Sequence, residues 1–118
     1  MGTRADFYVG VGQGAEWLGS VAFDGYQWAE HPDLPIPSAH TEDEFRSAVH
    51  AELEGRDDAT NPDQGWPWPW GDSGTTDYAY YFTDGAVRWD KRDDWPDMTK
   101  IMRVTLGKRS GVFVVSAK

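Results

Sequence analysis

The stretch from Gln64 to Asp77 contains three tryptophans that alternate with two prolines, and it constrains the fold more than any other part of the sequence. Pro67 and Pro69 fix φ near the polyproline value, lack a backbone N–H and push each preceding residue toward an extended conformation. Residues 65–70 can therefore form neither a helix nor a central strand. We predict a stiff extended segment, the tryptophan strap, whose indole rings point in different directions.

The indoles of the strap allow two interpretations, one structural and one functional. A buried tryptophan covers about 150–250 Å² and needs a partner for its indole N–H, so Trp66, Trp68 and Trp70 could seal an open face of a small core. Alternatively, the three rings could form a binding platform for a sugar, a nucleic-acid base or a proline-rich peptide. Because large aromatic residues dominate the packing of small domains, we favour the structural interpretation and expect Trp68 to pack inward.

The rest of the pattern predicts one α+β domain over residues 1–118, with the order β-β-α-β-β-β-β. Segments rich in aromatic and β-branched residues predict strands, and short turns such as Asp84-Gly85 predict hairpins. Hairpins impose antiparallel pairing, so we expect a twisted antiparallel sheet. The predicted strands are residues 6–11, 17–23, 77–83, 86–90, 99–106 and 112–116.

One amphipathic helix is predicted at residues 41–54. Thr41 is a suitable N-cap and Glu44, three residues later, completes a capping box. Phe45, Val49 and Leu53 follow at helical spacing and define the buried face. Three prolines in the preceding connection, residues 26–40, predict irregular structure there, and residues 56–64 are predicted to form a polar loop.

Four blocks of the sequence form a recognisable pattern. They are Thr3-Arg-Ala-Asp-Phe-Tyr-Val-Gly, Glu16-Trp-Leu-Gly-Ser, Phe23-Asp-Gly-Tyr, and Trp66-Pro-Trp-Pro-Trp followed by Asp77-Tyr-Ala-Tyr. These blocks resemble a group of small uncharacterised proteins of phages and prophages. The resemblance covers about the first three quarters of the chain and implies a bacterial cytoplasm and a role in phage–host conflict, but no activity.

The net charge of −9 is distributed unevenly along the chain. Residues 1–60 contain 12 acidic and 3 basic side chains, whereas residues 61–118 contain 8 of each. This balance disfavours direct nucleic-acid binding. It is compatible with an ordinary solubilising surface, or with an acidic face that binds a basic protein partner.

The second possibility leads to the functional hypothesis that we prefer at this stage. An inhibitor such as an anti-CRISPR protein, or another counter-defence protein, could place carboxylates where a basic bacterial protein binds phosphates. The predicted partner-binding face consists of Glu30, Asp33, Glu42, Asp43, Glu44, Glu52, Glu54, Asp57 and Asp58.

Catalysis and metal binding have weaker support in the sequence. Gly71-Asp-Ser-Gly matches a serine-protease signature, so a small hydrolase using Ser73 and His50 remains an alternative to the tryptophan platform and the acidic face. The three histidines lack metal-ligand spacing and the chain has no cysteine, so we predict neither a metal nor a cofactor. No apolar run has the length of a membrane span, and we predict no membrane association.

Overall fold

The computed structural model describes residues 3–11, 14–69, 73 and 76–91. They form a five-stranded sheet with the order β3-β2-β1-β4-β5, together with two helices that follow β2 in the chain. The strands are β1 Ala5–Val9, β2 Glu16–Val21, β3 Ala59–Thr60, β4 Tyr78–Thr83 and β5 Ala86–Lys91, and the helices are α1 Gln27–Glu30 and α2 Glu42–Glu54.

The α+β class is confirmed, but the sheet is mixed rather than wholly antiparallel. β1 pairs antiparallel with β2, whereas it pairs parallel with β4, from Ala5 opposite Tyr78 to Val9 opposite Phe82. A hairpin imposes antiparallel pairing only on the two strands that it joins. β1 and β4 are distant in sequence and no hairpin joins them, so this constraint does not apply to their pairing. The two strands predicted at 99–106 and 112–116 lie outside the described residues.

The central strand β1 is buried on both of its faces. Ala5 and Phe7 are fully buried on the side that α1 and α2 cover, which we call the helix face. Asp6 and Tyr8 alternate with them and are buried on the opposite side, which we call the strap face. The sheet therefore separates two layers, one made by the helices and one made by the tryptophan strap.

Helix α2 begins and ends where the sequence predicts. The Thr41 side chain accepts a hydrogen bond of 3.1 Å from the backbone N–H of Glu44. The Glu44 carboxylate accepts from the N–H of His40 at 2.7 Å, one residue before the position expected in a capping box. Phe45 and Val49 are buried in the core, as predicted.

Helix α1 corrects the prediction of a wholly irregular connection at 26–40. Its four residues end before the first proline, and its Trp28 is buried. The Trp28 ring lies 5.2 Å from Phe7 and 5.7 Å from Tyr80, edge-on to both. This aromatic packing, which is absent from the local sequence pattern, holds the short helix on the sheet. Neither this helix nor α2, the two found in the described residues, is long and apolar enough to cross a bilayer.

A β-bulge in β2 lets the sheet approach α2 closely. Phe7 is opposite Gly19, and Tyr8 is opposite Trp17, so Leu18 is the extra residue. Gly19 has φ of +147°, and a Cβ at this position would lie 2.4 Å from a methyl carbon of Leu53. The bulge thus needs glycine, both for its backbone conformation and for space.

Candidate functional site

A buried carboxylate, Asp6, lies at the centre of a hydrogen-bond network on the strap face. It is fully buried. Ser20 Oγ donates to Asp6 Oδ1 at 2.6 Å, and the Trp68 indole N–H donates to the same oxygen at 2.7 Å. Ser73 Oγ donates to Asp6 Oδ2 at 2.7 Å, and the side chain of Thr76 is also hydrogen-bonded to the carboxylate. Asp6 therefore joins β1 and β2 to the strap and to the segment that follows it.

The network continues to both sides of Asp6. The Tyr8 hydroxyl and Ser73 Oγ are 2.7 Å apart, and the Trp17 indole N–H donates to Ser20 Oγ at 3.0 Å. Trp66 packs edge-on to Trp17, with ring centroids 5.1 Å apart. Polar and aromatic contacts thus hold the strap on the sheet together.

The environment of Asp6 acts on its pKa in two opposing ways. Burial raises the pKa above its ordinary value, because a charged carboxylate loses its hydration there. The hydrogen bonds from Ser20, Ser73, Trp68 and Thr76 lower it, and burial is the larger effect. The network stabilises the strap in the fold at the cost of an unfavourable environment for the charged side chain.

These contacts give Trp66 and Trp68 structural roles. Trp68 points inward as expected, since its indole N–H reaches Asp6, and the Arg4 guanidinium lies 5.7 Å from the centre of its ring. Trp66 uses its ring against Trp17. Trp70 lies outside the described residues. The surfaces that a sugar or a peptide would need on Trp66 and Trp68 are therefore partly occupied by the protein itself.

The two residues of the hydrolase alternative are separated by the sheet. Ser73 is fully buried on the strap face and hydrogen-bonded to Asp6. His50 lies on α2, against the other face, with 73% of its side chain exposed and its Nε2 3.0 Å from Glu54 Oε2. A nucleophile and its general base must be within hydrogen-bonding reach, so these two residues do not form a catalytic pair. Within the described residues, no three His, Asp or Glu side chains are grouped as metal ligands.

The nine residues of the predicted acidic face all belong to residues 27–58, which we call the helix layer. This segment contains two arginines, and both are held by carboxylates. Arg46 forms ion pairs of 2.7 Å with Glu16 and 2.8 Å with Glu42, and these contacts raise the pKa of Arg46 and lower that of Glu16.

Arg56 joins the end of α2 to the sheet. It forms ion pairs of 2.9 Å with Glu52 and 2.7 Å with Asp58, and it donates to the carbonyl of Phe23 at 2.8 Å. Asp58 also accepts from the backbone N–H groups of Ala22 and Phe23, and its pKa is lowered chiefly by the hydrogen bond from Arg56. Asp58 and Glu52 thus have internal partners, and Asp58 is largely withdrawn from the surface.

The other acidic side chains of the helix layer are exposed. Glu54 pairs with His50, and Glu44 is hydrogen-bonded to the His40 backbone. Besides Glu44, four carboxylates form no salt bridge with any described residue, and they are Glu30, Asp33, Asp43 and Asp57. These four are the acidic groups most available to a partner.

A groove of about 410 Å³ lies between α2 and the turn at residues 61–64. Its apolar lining includes Leu18, Val49 and Leu53, and its acidic lining includes Glu54 and Asp63. The sequence gives no local sign of this groove, because β3 places the turn beside α2 and β3 is only two residues long.

Comparison with known proteins gives no identification: no family model, no curated protein and no solved structure matches the chain.

The Asp6 network was not predicted from the sequence. Its one sequence signal is an aspartate inside an otherwise apolar strand, which indicates a buried carboxylate once both faces of that strand are known to be covered.

Proposed function

We propose that this protein is a non-enzymatic binding protein whose acidic helix layer occupies a basic nucleic-acid-binding surface of a bacterial protein. The observation that carries the proposal is the charge of this layer. Residues 27–58 contain nine acidic side chains and two arginines, and each arginine is engaged by two carboxylates at 2.9 Å or less. The layer therefore presents mainly negative charge to solvent.

Such a surface competes with nucleic acid through the same electrostatics that attract phosphates. The positive potential of a basic groove attracts phosphates, and it attracts fixed carboxylates on a folded protein in the same way. Helix α2 holds its acidic residues on a regular backbone, which reduces the backbone entropy lost on binding.

The biological setting of the proposal comes from the sequence blocks that resemble phage proteins. A phage-encoded inhibitor of the anti-CRISPR type, or of another counter-defence type, would act in the bacterial cytoplasm on a protein that handles nucleic acid. The tryptophan platform is less well supported, since Trp66 and Trp68 already pack against Trp17 and Arg4.

The test is capture of partners from bacterial lysate by the immobilised full chain, with mass spectrometry of the eluted proteins. We expect a nucleic-acid-binding protein that is captured at low salt, lost at high salt and displaced by double-stranded DNA. Charge screening explains the first two results, and competition for one surface explains the third.

Variants locate the surface on the protein. The triple change Asp33→Asn, Asp43→Asn and Asp57→Asn removes three exposed charges that form no ion pair with described residues, and we expect at least tenfold weaker capture. Asp84→Asn removes one exposed charge from the β4–β5 turn, where asparagine tolerates the positive φ of 53°, and should change capture less than twofold. A captured protein that ignores DNA, salt and the triple change would overturn the proposal.

A further inference from the structure

The groove between α2 and the turn at 61–64 has the chemistry of a site for a single basic side chain. We propose that it receives a lysine side chain of the basic partner, with the aliphatic stem on the apolar lining and the ammonium group at the acidic rim. This inference rests on the proposed function and specifies how the partner is recognised.

The size and floor of the groove suit an aliphatic stem. Its volume is about 410 Å³, within the range of small-ligand sites. Leu18 comes from the bulged strand β2, and Val49 and Leu53 come from α2, so the floor is built on regular structure rather than on a loop. Lysine side chains commonly bury their methylene groups against such surfaces while the charged end stays near water.

The charge around the groove favours a cation. Glu54 and Asp63 line it with carboxylates, and Asp63 forms no salt bridge with a described residue. Two basic residues also line the groove, Arg46, which is engaged by Glu16 and Glu42, and His50, whose Nε2 lies 3.0 Å from Glu54 Oε2. An ammonium group therefore meets more negative than positive charge there, and an anionic side chain would be repelled.

The probe is an acetylated and amidated pentapeptide, Ser-Gly-Lys-Gly-Ser, titrated into the ¹⁵N-labelled full chain. A matched peptide carries norleucine, which keeps the stem but lacks the ammonium group, and another carries glutamate. We expect saturable shifts at the amides of Leu18, Leu53 and Asp63, with the lysine peptide binding at least fivefold more tightly than the norleucine peptide.

Two variants separate the groove from general charge attraction. Ala59→Leu fills the groove without a change of charge, since Ala59 belongs to its lining, and should weaken binding of the lysine peptide at least fivefold. Asp63→Asn changes only an exposed side chain and should weaken it similarly, whereas Asp33→Asn, outside the groove lining, should change it less than twofold. If Ala59→Leu does not fold, the test rests on binding of the lysine peptide by Asp63→Asn compared with Asp33→Asn.

The results distinguish failure of this inference from failure of the proposed function. Equal binding of the lysine and norleucine peptides, or shifts that spread over the helix layer without saturation at the groove, would overturn the lysine site. If partner capture still responds to salt, DNA and the triple asparagine change, the acidic-surface proposal survives that result. If capture fails those tests while the lysine peptide saturates the groove, the lysine site is supported. The proposal that the partner is a nucleic-acid-binding protein is then overturned.

Discussion

At the scale of single residues, the buried aspartate has a larger influence on this fold than any exposed acid. Asp6 on β1 receives hydrogen bonds from Ser20 on β2, from Trp68 in the strap and from Ser73 after the strap. A carboxylate buried without such donors would cost several kcal/mol. The hydrogen-bond donors offset part of the free energy lost when the carboxylate is buried. The carboxylate, as their acceptor, fixes the positions of Trp68 and Ser73. Polar specificity, rather than apolar area alone, determines how the strap docks.

This arrangement predicts an unusual pH dependence of stability. The pKa of Asp6 is raised in the folded state, so above the ordinary aspartate pKa of about 4 the folded protein binds more protons than the unfolded chain, and stability falls as pH rises toward the folded pKa. Asp6→Asn removes this contribution. Urea unfolding from pH 4.5 to 8 should show the parent losing stability relative to the variant as pH rises. A difference with the opposite slope would contradict the assignment.

Trp68 should contribute to stability through both its area and its indole N–H. We expect Trp68→Ala to lower the free energy of unfolding by about 3 kcal/mol, as for other large-to-small changes at packed aromatic residues. Trp68→Phe keeps most of the ring but removes the donor to Asp6, and should cost about 1–2 kcal/mol. Chemical denaturation of both variants gives the two values. An unchanged midpoint in Trp68→Ala would show that the ring is not part of the core.

At the scale of elements, the bulge in β2 determines how closely α2 can pack on the sheet. Gly19 has no room for a side chain, because an added Cβ would also lie 2.8 Å from the carbonyl oxygen of Thr60. One glycine therefore sets the spacing between β2, β3 and α2. The groove depends on the same spacing, since Leu18 and Leu53 both line it.

We predict that Gly19→Ala destabilises the protein by about 2–4 kcal/mol, because overpacking and a strained φ add together. Gly14→Ala is the matched control: a Cβ there meets no atom of the described residues within 4 Å, so its effect on the melting temperature should be small. Equal melting temperatures for the two variants would show that α2 moves away from β2 without cost.

The parts of the fold that could be predicted are those with local signals. The cap at Thr41 marks α2, and Asp84 and Gly85, with φ of 53° and 78°, form the predicted turn of type I′. The parallel pairing of β1 with β4 has no local signal. β3 and α1 are too short for any periodic pattern and depend on tertiary contacts, such as those of Trp28.

The candidate site shows the same division. Composition located the acidic segment, but it could not separate exposed carboxylates such as Asp43 from Asp58, which is used internally by Arg56 and two backbone N–H groups. Ser73 lies in a four-residue match to a catalytic signature, but such a match does not show whether the serine is buried. The groove arises from the meeting of α2 with the turn at 61–64, and no single stretch of sequence encodes it.

At the scale of the whole molecule, Arg56 links both helices to the edge of the sheet formed by β2 and β3. It contacts α2 through Glu52, the β3 side through Asp58 and the end of β2 through the Phe23 carbonyl, with 14% of its side chain exposed. Its guanidinium also lies 5.9 Å from the centre of the Trp28 ring. Its contacts therefore span both helices and one edge of the sheet.

Replacing this arginine should affect the whole protein. We expect Arg56→Met to destabilise the fold by about 2–4 kcal/mol, because Glu52 and Asp58 would then face each other without a cation. Arg46→Met provides a comparison, since Arg46 also binds two carboxylates but at a more exposed site, where ion pairs contribute at most about 1 kcal/mol. Thermal unfolding measures both. A larger loss in Arg46→Met would reverse this ranking.

The parallel pairing of β1 with β4 also determines when the protein can fold during its synthesis. The backbone N–H of Arg4, just before β1, bonds to the Asp77 carboxylate, 73 positions later. At 5–20 residues per second, a ribosome needs on the order of 4–15 s to make the intervening chain. During that time the nascent β1 can pair with its hairpin partner β2, but its second edge is unpaired. An unpaired strand edge can pair with another chain and so promotes aggregation. Slower translation would therefore lengthen the interval in which this edge of β1 is exposed in the unfinished chain.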